Sequence, residues 1–282
     1  MKKVFLTLLI YISVLLLIAI IFERLFTDSH YKNVSRNPVD WVMSLDSTDV
    51  YDYLVLGSSR TLNTVDPFQI EVLTKKHGIN LGLQDAKPFD LKLFVKRLIK
   101  KNITHTLYIQ IDDSWNINEA GEKSTVNWLP YLNEEAIWKE FEKLDDKKYF
   151  YYKNIPFYKY AHYDSEIGIR DFCKGLTQQK LSTIKDRGFI PLYEVLKTSE
   201  RDREYPFTLQ DEFNIHIKEI ITLCKENGVS VFFFTAPIYK ADGNHSILLK
   251  YLPNYYDFTN LISDPEYFYD GRHLNAKGAK LF

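Results

Sequence analysis

The chain has 282 residues, enough to bury a sizeable core as one large domain or two small ones. Its hydrophobic share of 45%, charged share of 26% and net charge of -1 are those of an ordinary globular protein, and they give no bulk electrostatic reason for a nucleic-acid partner. Two cysteines, Cys173 and Cys224, make neither a disulfide framework nor a metal signature; they could pair in an oxidising compartment, and two free thiols is the simpler reading.

In chain order, the first element is an apolar run. Val4 to Phe22 contains no charged residue and is rich in Leu and Ile. At about 1.5 Å of rise per residue it is long enough to cross a hydrocarbon core of about 30 Å. Lys2 and Lys3 precede it, and Glu23 and Arg24 roughly cancel after it. The positive-inside bias places the N-terminus in the cytoplasm and the remainder outside, periplasmic or at the cell surface. A cleaved signal peptide fits less well, because the run is too long and no small-x-small site follows. Residues 1–25 therefore read as an anchor and 26–48 as a polar stalk. The rest, 49–282, reads as one α/β domain.

Within that domain, Tyr53–Leu56 is a short apolar strand. Asp66-Pro67 has the form of an N-cap followed by proline at the first helical position, and the helix it starts carries Phe68, Ile70, Val72 and Leu73 as far as Gly78. Ile79–Leu83 is a second strand. Pro88–Lys101 repeats apolar residues at helical spacing, and Thr106–Ile111 is a third strand. A helix is expected from about Thr208 to Asn227, then a fourth strand over Val229–Phe234, apolar enough for burial on both faces. Strands alternating with helices at these spacings predict a parallel sheet flanked by helices on both sides. Residues from about 115 to 205 break the pattern. They hold one short helix, Asn133–Leu144, and read as an insertion that walls the cleft. The 20 Tyr and 19 Phe supply core and strand packing in the simpler account and sugar-stacking platforms in the other.

Two motifs carry chemistry. Gly57-Ser58-Ser59-Arg60 directly follows the first strand, and Asp270-Gly271-Arg272-His273-Leu274-Asn275 lies near the C-terminus. A serine hydroxyl is a poor nucleophile at neutral pH. It needs an imidazole to take its proton, and the imidazole needs an anion to hold its tautomer. Ser59, His273 and Asp270 supply those three groups. Each has a plainer reading: Ser59 as a turn residue, His273 as a packing histidine and Asp270 as a cap. Their joint placement, one after the first strand and one before a last helix, favours catalysis. The other six histidines have no such context, and no His-Glu-x-x-His or Cys-x-x-Cys spacing calls for a metal.

The pair of motifs resembles the first and last blocks of the SGNH/GDSL hydrolases, closest to the membrane-anchored branch that reads Gly-Ser-Ser. The resemblance spans roughly residues 50–282, but only the two ends are motif-like. It implies a three-layer, flavodoxin-like fold with no cofactor. It also implies acyl transfer through an acyl-serine intermediate to water or to a sugar hydroxyl of envelope or secreted polysaccharide. Partners so implied are an acylated carbohydrate or acyl donor, and a membrane-bound protein that delivers the acyl group. In that family the oxyanion is met by the nucleophile's N–H, a glycine after the second strand and an asparagine after the third. Here Ser59 and Gly82 are the candidates for the first two, with Gln84 and Asp85 just beyond. The third block is replaced by Asp112-Asp113-Ser114-Trp115, and an ionised carboxylate cannot donate. Arg60, Asn63 and Ser114 are the substitutes by position. Loss of one donor costs about two to three orders of magnitude in rate, so a non-catalytic, membrane-tethered binding or assembly protein is the alternative. The sequence ends at Phe282, so a terminal helix begun near Asn275 is unusually short, as in a truncated chain.

Overall fold

A computed structural model describes residues 1–32, 36–177 and 186–282, the side chain of Asp146 excepted. In chain order the elements are α1 (Lys2–Tyr31), α2 (Pro38–Ser44), β1 (Tyr53–Gly57), α3 (Ser59–Thr64), α4 (Pro67–Thr74), β2 (Gly78–Gly82), α5 (Pro88–Lys101) and β3 (Thr106–Gln110). There follow α6 (Glu122–Trp128), α7 (Glu135–Leu144), α8 (Asp146–Asn154), α9 (Tyr158–His162), α10 (Asp164–Ile167) and α11 (Ile169–Leu176). The last part holds β4 (Tyr205–Phe207), α12 (Ile215–Glu226), β5 (Ser230–Thr235), β6 (Ala241–Gly243), α13 (Leu248–Tyr251), β7 (Tyr255–Asp257) and α14 (Ala276–Leu281). These form two compact units, Met1–Arg36 with Thr125–Lys180, and Asn37–Ser124 with Leu181–Phe282.

The second unit is α/β. Its main sheet has the order β2-β1-β3-β5-β7 and every pairing is parallel. Counted among themselves, these strands run 2-1-3-4-5, a doubly wound order whose direction reverses at β1, so that ligands are expected in the crevice beyond the carboxyl ends of β1 and β3. One face carries Leu54, Leu56, Leu107, Ile109, Val231 and Phe233, all buried. Helices α5 and α12 pack on each other, and α12 on β5. On the other face Tyr53, Val55 and Phe234 cluster with Val65 and Ala236, edged by Ile70, Phe258 and Phe282. Tyr108 and Tyr256 on that face stay 38% and 51% exposed, beside a groove of about 470 Å³. The expected burial of both faces therefore holds for one. α4 is short and turns Val72 and Leu73 to solvent instead of across the strands.

Three boundaries differ from the sequence reading. α12 starts at Ile215, not near Thr208, because the Asn214 side chain accepts from the N–H groups of His216 and Ile217 and fixes the helix start there. β7 was not expected; three residues carry too little periodicity to register. Residues 26–48 are not a patternless stalk, since α1 continues to Tyr31 and α2 begins at Pro38 under an Asn37 cap.

The first unit is helical. α1 is long and apolar enough to cross a membrane by length and composition, and its large apolar side chains from Val4 to Phe22 lie exposed. Its last turns are buried within the unit. The Phe26 ring stacks on Phe172 at 4.4 Å and meets Phe157 and Tyr160 edge-on or tilted at 5.0 and 5.2 Å. Burying such a ring stabilises by roughly 1.5–3 kcal/mol. The insertion expected at about 115–205 is thus divided. Residues 125–177 join the apolar helix, whereas 115–124 and 186–205 belong to the unit with the sheet. Five helices stand where one was expected, because each is only one to three turns long and its apolar face is built from tyrosines that polarity scales underrate.

Candidate active site

Two glycines bring the nucleophile's helix tightly over the sheet. Gly57 and Gly82 pair in register at the carboxyl ends of β1 and β2. A Cβ on Gly57 would lie 1.9 Å from Thr61 Oγ1, and one on Gly82 would lie 2.5 Å from the Leu62 backbone nitrogen, so neither position admits a side chain while α3 sits where it does. Asn80 completes the bracket. Its Nδ2 donates to the Thr61 and Val65 carbonyls at 2.8 Å each. Ser58 caps α3, and Ser59 is the first helical residue, with its N–H among those that no helical carbonyl reaches.

The second motif is a rigid loop. Phe268 and Leu274 form an antiparallel bridge, and the Tyr269 N–H donates to the His273 carbonyl at 2.9 Å. Asn275, 2% exposed, donates to the Glu266 and Phe268 carbonyls and caps α14 through Lys277 and Gly278. Leu274 is fully buried. The two residues that follow His273 therefore lock the loop rather than meet a substrate. Asp270 Oδ1 accepts from the backbone N–H of Arg272 and of His273, each at 2.8 Å. That turn explains why three residues separate the carboxylate from the imidazole.

Ser59 Oγ lies 2.9 Å from His273 Nε2, across 214 residues of sequence. His273 Nδ1 is 3.0 Å from both oxygens of Asp270. With Nδ1–H donating to the carboxylate, Nε2 is left to accept the serine proton, which is the arrangement a general base requires. Partial burial pushes the Asp270 pKa up, but the His273 hydrogen bond and charge, with the two backbone donors, outweigh it and hold it below 3.8. It stays ionised at neutral pH.

The remaining candidates fall out differently. The Gly82 N–H is not free for an oxyanion, because Asn80 Oδ1 accepts it at 2.8 Å. The glycine is required by the approach of α3 instead. Arg60, 4% exposed, donates to the carbonyls of Arg272 at 3.1 Å, Ala236 at 2.5 Å and Pro237 at 3.2 Å, and so ties the two motifs together from below. Asn63 donates to the Ile190 carbonyl at 2.8 Å. Ser114 donates to Asp112. None of these three is a substrate contact in this arrangement. Asp113 pairs with Arg272.

Sequence reasoning missed two features. Asp112, 7% exposed, accepts from Ser58 Oγ at 2.6 Å and from Ser114 Oγ at 2.6 Å. It is the anchor of the turn after β3, and its position immediately past that strand was the available signal. Burial pushes its pKa up, yet the Arg60 charge and the Ser114 and Ser58 hydrogen bonds prevail and hold it below 3.8. A carboxyl so held contributes stability that is present above its unfolded value and lost as pH falls through the lower folded value. Asp112→Asn should remove that contribution, so the variant's stability should change less below about pH 4 than the parent's in acid unfolding followed by circular dichroism. The second feature is the stretch 187–196. It hydrogen-bonds in turn to Asn80, Leu62, Ala276 and Phe268, strapping the first motif to the second. Just beyond it, Glu200, Arg203, Tyr205 and Pro206 line a cavity of about 350 Å³ with Asp270, Gly271 and Arg272. The end of the expected insertion thus walls the site on its carboxylate side.

No protein-family model matches this chain, and no curated protein is significantly similar to it.

Proposed function

We propose that the chain is a membrane-anchored, serine-dependent acyl hydrolase or O-acyltransferase of the SGNH type. The observation that carries this reading is the Ser59–His273–Asp270 alignment, at 2.9 and 3.0 Å, at the carboxyl end of the first strand of a doubly wound sheet. Ser59 attacks an ester or thioester carbonyl while His273 takes its proton. The tetrahedral intermediate collapses as His273 returns that proton to the leaving oxygen or sulfur. The acyl-serine then passes its acyl group to water or to a carbohydrate hydroxyl, activated by the same imidazole. By its resemblance to the Gly-Ser-Ser branch, the acceptor or substrate is an envelope or secreted polysaccharide, with a membrane-bound protein as the source of acyl groups. Labelling with a fluorophosphonate, followed by mapping of the modified residue, tests the reading: adduct on Ser59 supports it and adduct elsewhere or none opposes it.

One observation favours a second reading. The Gly82 N–H is already committed and the position after β3 is a carboxylate, so two of the family's three oxyanion donors are missing. A tethered carbohydrate-binding or assembly protein that keeps the fold needs neither. Retention of carbohydrate binding by a chain that never labels would select it.

For topology, α1 holds the chain in the membrane, with its lysine-flanked N-terminus cytoplasmic and both units outside. A reporter active only outside the cytoplasm, fused after Phe282, should be active. The protein should sediment with membranes and keep its first residues by mass spectrometry. A soluble, shortened product opposes the anchor.

A further inference from the structure

This inference rests on reading α1 as a membrane span. The first unit fixes the height of one turn along that helix. The Phe157 N–H donates to Glu23 Oε2 at 3.0 Å, and its ring packs on Phe22 at 5.7 Å and Phe26 at 5.0 Å. Two residues on, Lys159 Nζ lies 2.5 Å from Glu23 Oε1. Glu23 is the first charged residue after Lys3, so the turn between α8 and α9 is held where the uncharged run ends. The opposite end of the unit is held higher, where Tyr31 Oη donates to Glu134 at 3.2 Å, roughly 12 Å further along the helix.

The surface at the lower level is unlike an ordinary aqueous one. α8 buries Tyr149 and Tyr152, yet leaves Phe150 and Tyr151 each 52% exposed. Ile155 and Tyr158, at the turn itself, are 44% and 37% exposed. Lys153 in the last turn of α8 lies over the Trp138 ring at 4.0 Å, an aliphatic stem on an aromatic surface with its charge at the edge. Aromatic rings with a polar handle, an aliphatic side chain between them and a lysine at the rim, beside the end of a spanning helix, match the chemistry of the lipid headgroup region.

We propose that the α8–α9 turn is an interfacial foot: Tyr151, Ile155 and Tyr158 enter the headgroup region of the leaflet from which the chain emerges, and Lys153 meets lipid phosphates there. The foot adds a second contact beside the single helix, so the first unit cannot swivel freely about α1.

The test uses the full chain with Cys173→Ser and Cys224→Ala, reconstituted in phosphatidylcholine vesicles and carrying one nitroxide at a time. Labels on Ile155→Cys, on Leu16→Cys within the span and on Glu135→Cys at the far end are compared for collision with oxygen and with a water-soluble nickel chelate. The expected result is a preference for oxygen, several-fold, at 155 and at 16, and the reverse at 135. A 155 label that behaves like 135 while 16 keeps its lipid signature overturns the foot and leaves the span standing. A 155 label shielded from both reagents also overturns it, since it reports a protein contact. Water exposure at 16 overturns the span and the foot together. Tyr151→Cys gives the same reading where the 155 variant fails to fold by circular dichroism.

Discussion

Ser59→Ala should abolish fluorophosphonate labelling and lower ester turnover by about 10⁴- to 10⁶-fold, the range seen when a serine nucleophile is removed. His273→Ala should fall in the same range, because the two groups act as one unit and their losses do not add. Asp270→Asn should cost about 10⁴-fold and leave labelling slow but detectable. The amide can no longer accept from Nδ1–H with either atom equivalently, so the tautomer that presents Nε2 to Ser59 loses its support. Ser58→Ala is the control that separates the adjacent hydroxyls. Ser58 Oγ faces Asp112 and caps α3, so its loss should cost about 0.5–2 kcal/mol of stability while labelling at Ser59 persists. Labelling that follows Ser58 instead would overturn the assignment of the nucleophile.

These variants also bear on the missing donors. An efficient enzyme of this type needs preorganised N–H groups where negative charge develops, and Ser59 supplies one from the first turn of α3. If turnover is low but acyl-serine forms, the site suits an activated donor, such as a thioester, whose carbonyl requires less stabilisation than an ordinary ester's.

The strands were legible because their apolar runs end at glycines, and the triad because Gly-Ser-Ser and Asp-x-x-His are local signatures with a mechanism behind each spacing. What the sequence hid is non-local. Nothing near Gly82 announces that Asn80, two residues earlier, folds back to take its N–H while bracketing α3. Arg60 beside a nucleophile looks like an oxyanion contact until the carbonyls of Ala236 and Pro237 claim it from 176 and 177 residues away. The helices between 125 and 177 were missed for a related reason. Their apolar face is completed by Phe26 of α1, so none of them shows a core-sized pattern alone.

The largest stability effect is expected at the junction between α1 and those helices. Lys159 is fully buried, and burial pushes its pKa down even though the Glu23 carboxylate, 2.5 Å away, opposes the shift. Replacing one partner strands a charge that has left water. Glu23→Gln should therefore destabilise the first unit by about 3–5 kcal/mol. A buried pair returns little beyond its own desolvation, however, so replacing both partners with apolar residues of similar volume, Glu23→Leu with Lys159→Met, should be near neutral or stabilising by up to about 4 kcal/mol. Thermal unfolding in detergent, read by circular dichroism and by protease cleavage between 145 and 177, distinguishes the two cases. If the single variant unfolds with the parent, the pair is solvated and does not hold the helix. If the double variant is as unstable as the single, the polar contact itself, and not the stranded charge, fixes where α9 meets α1. The Phe157 N–H loses its Glu23 acceptor in both variants, which isolates the lysine as the source of any difference between them.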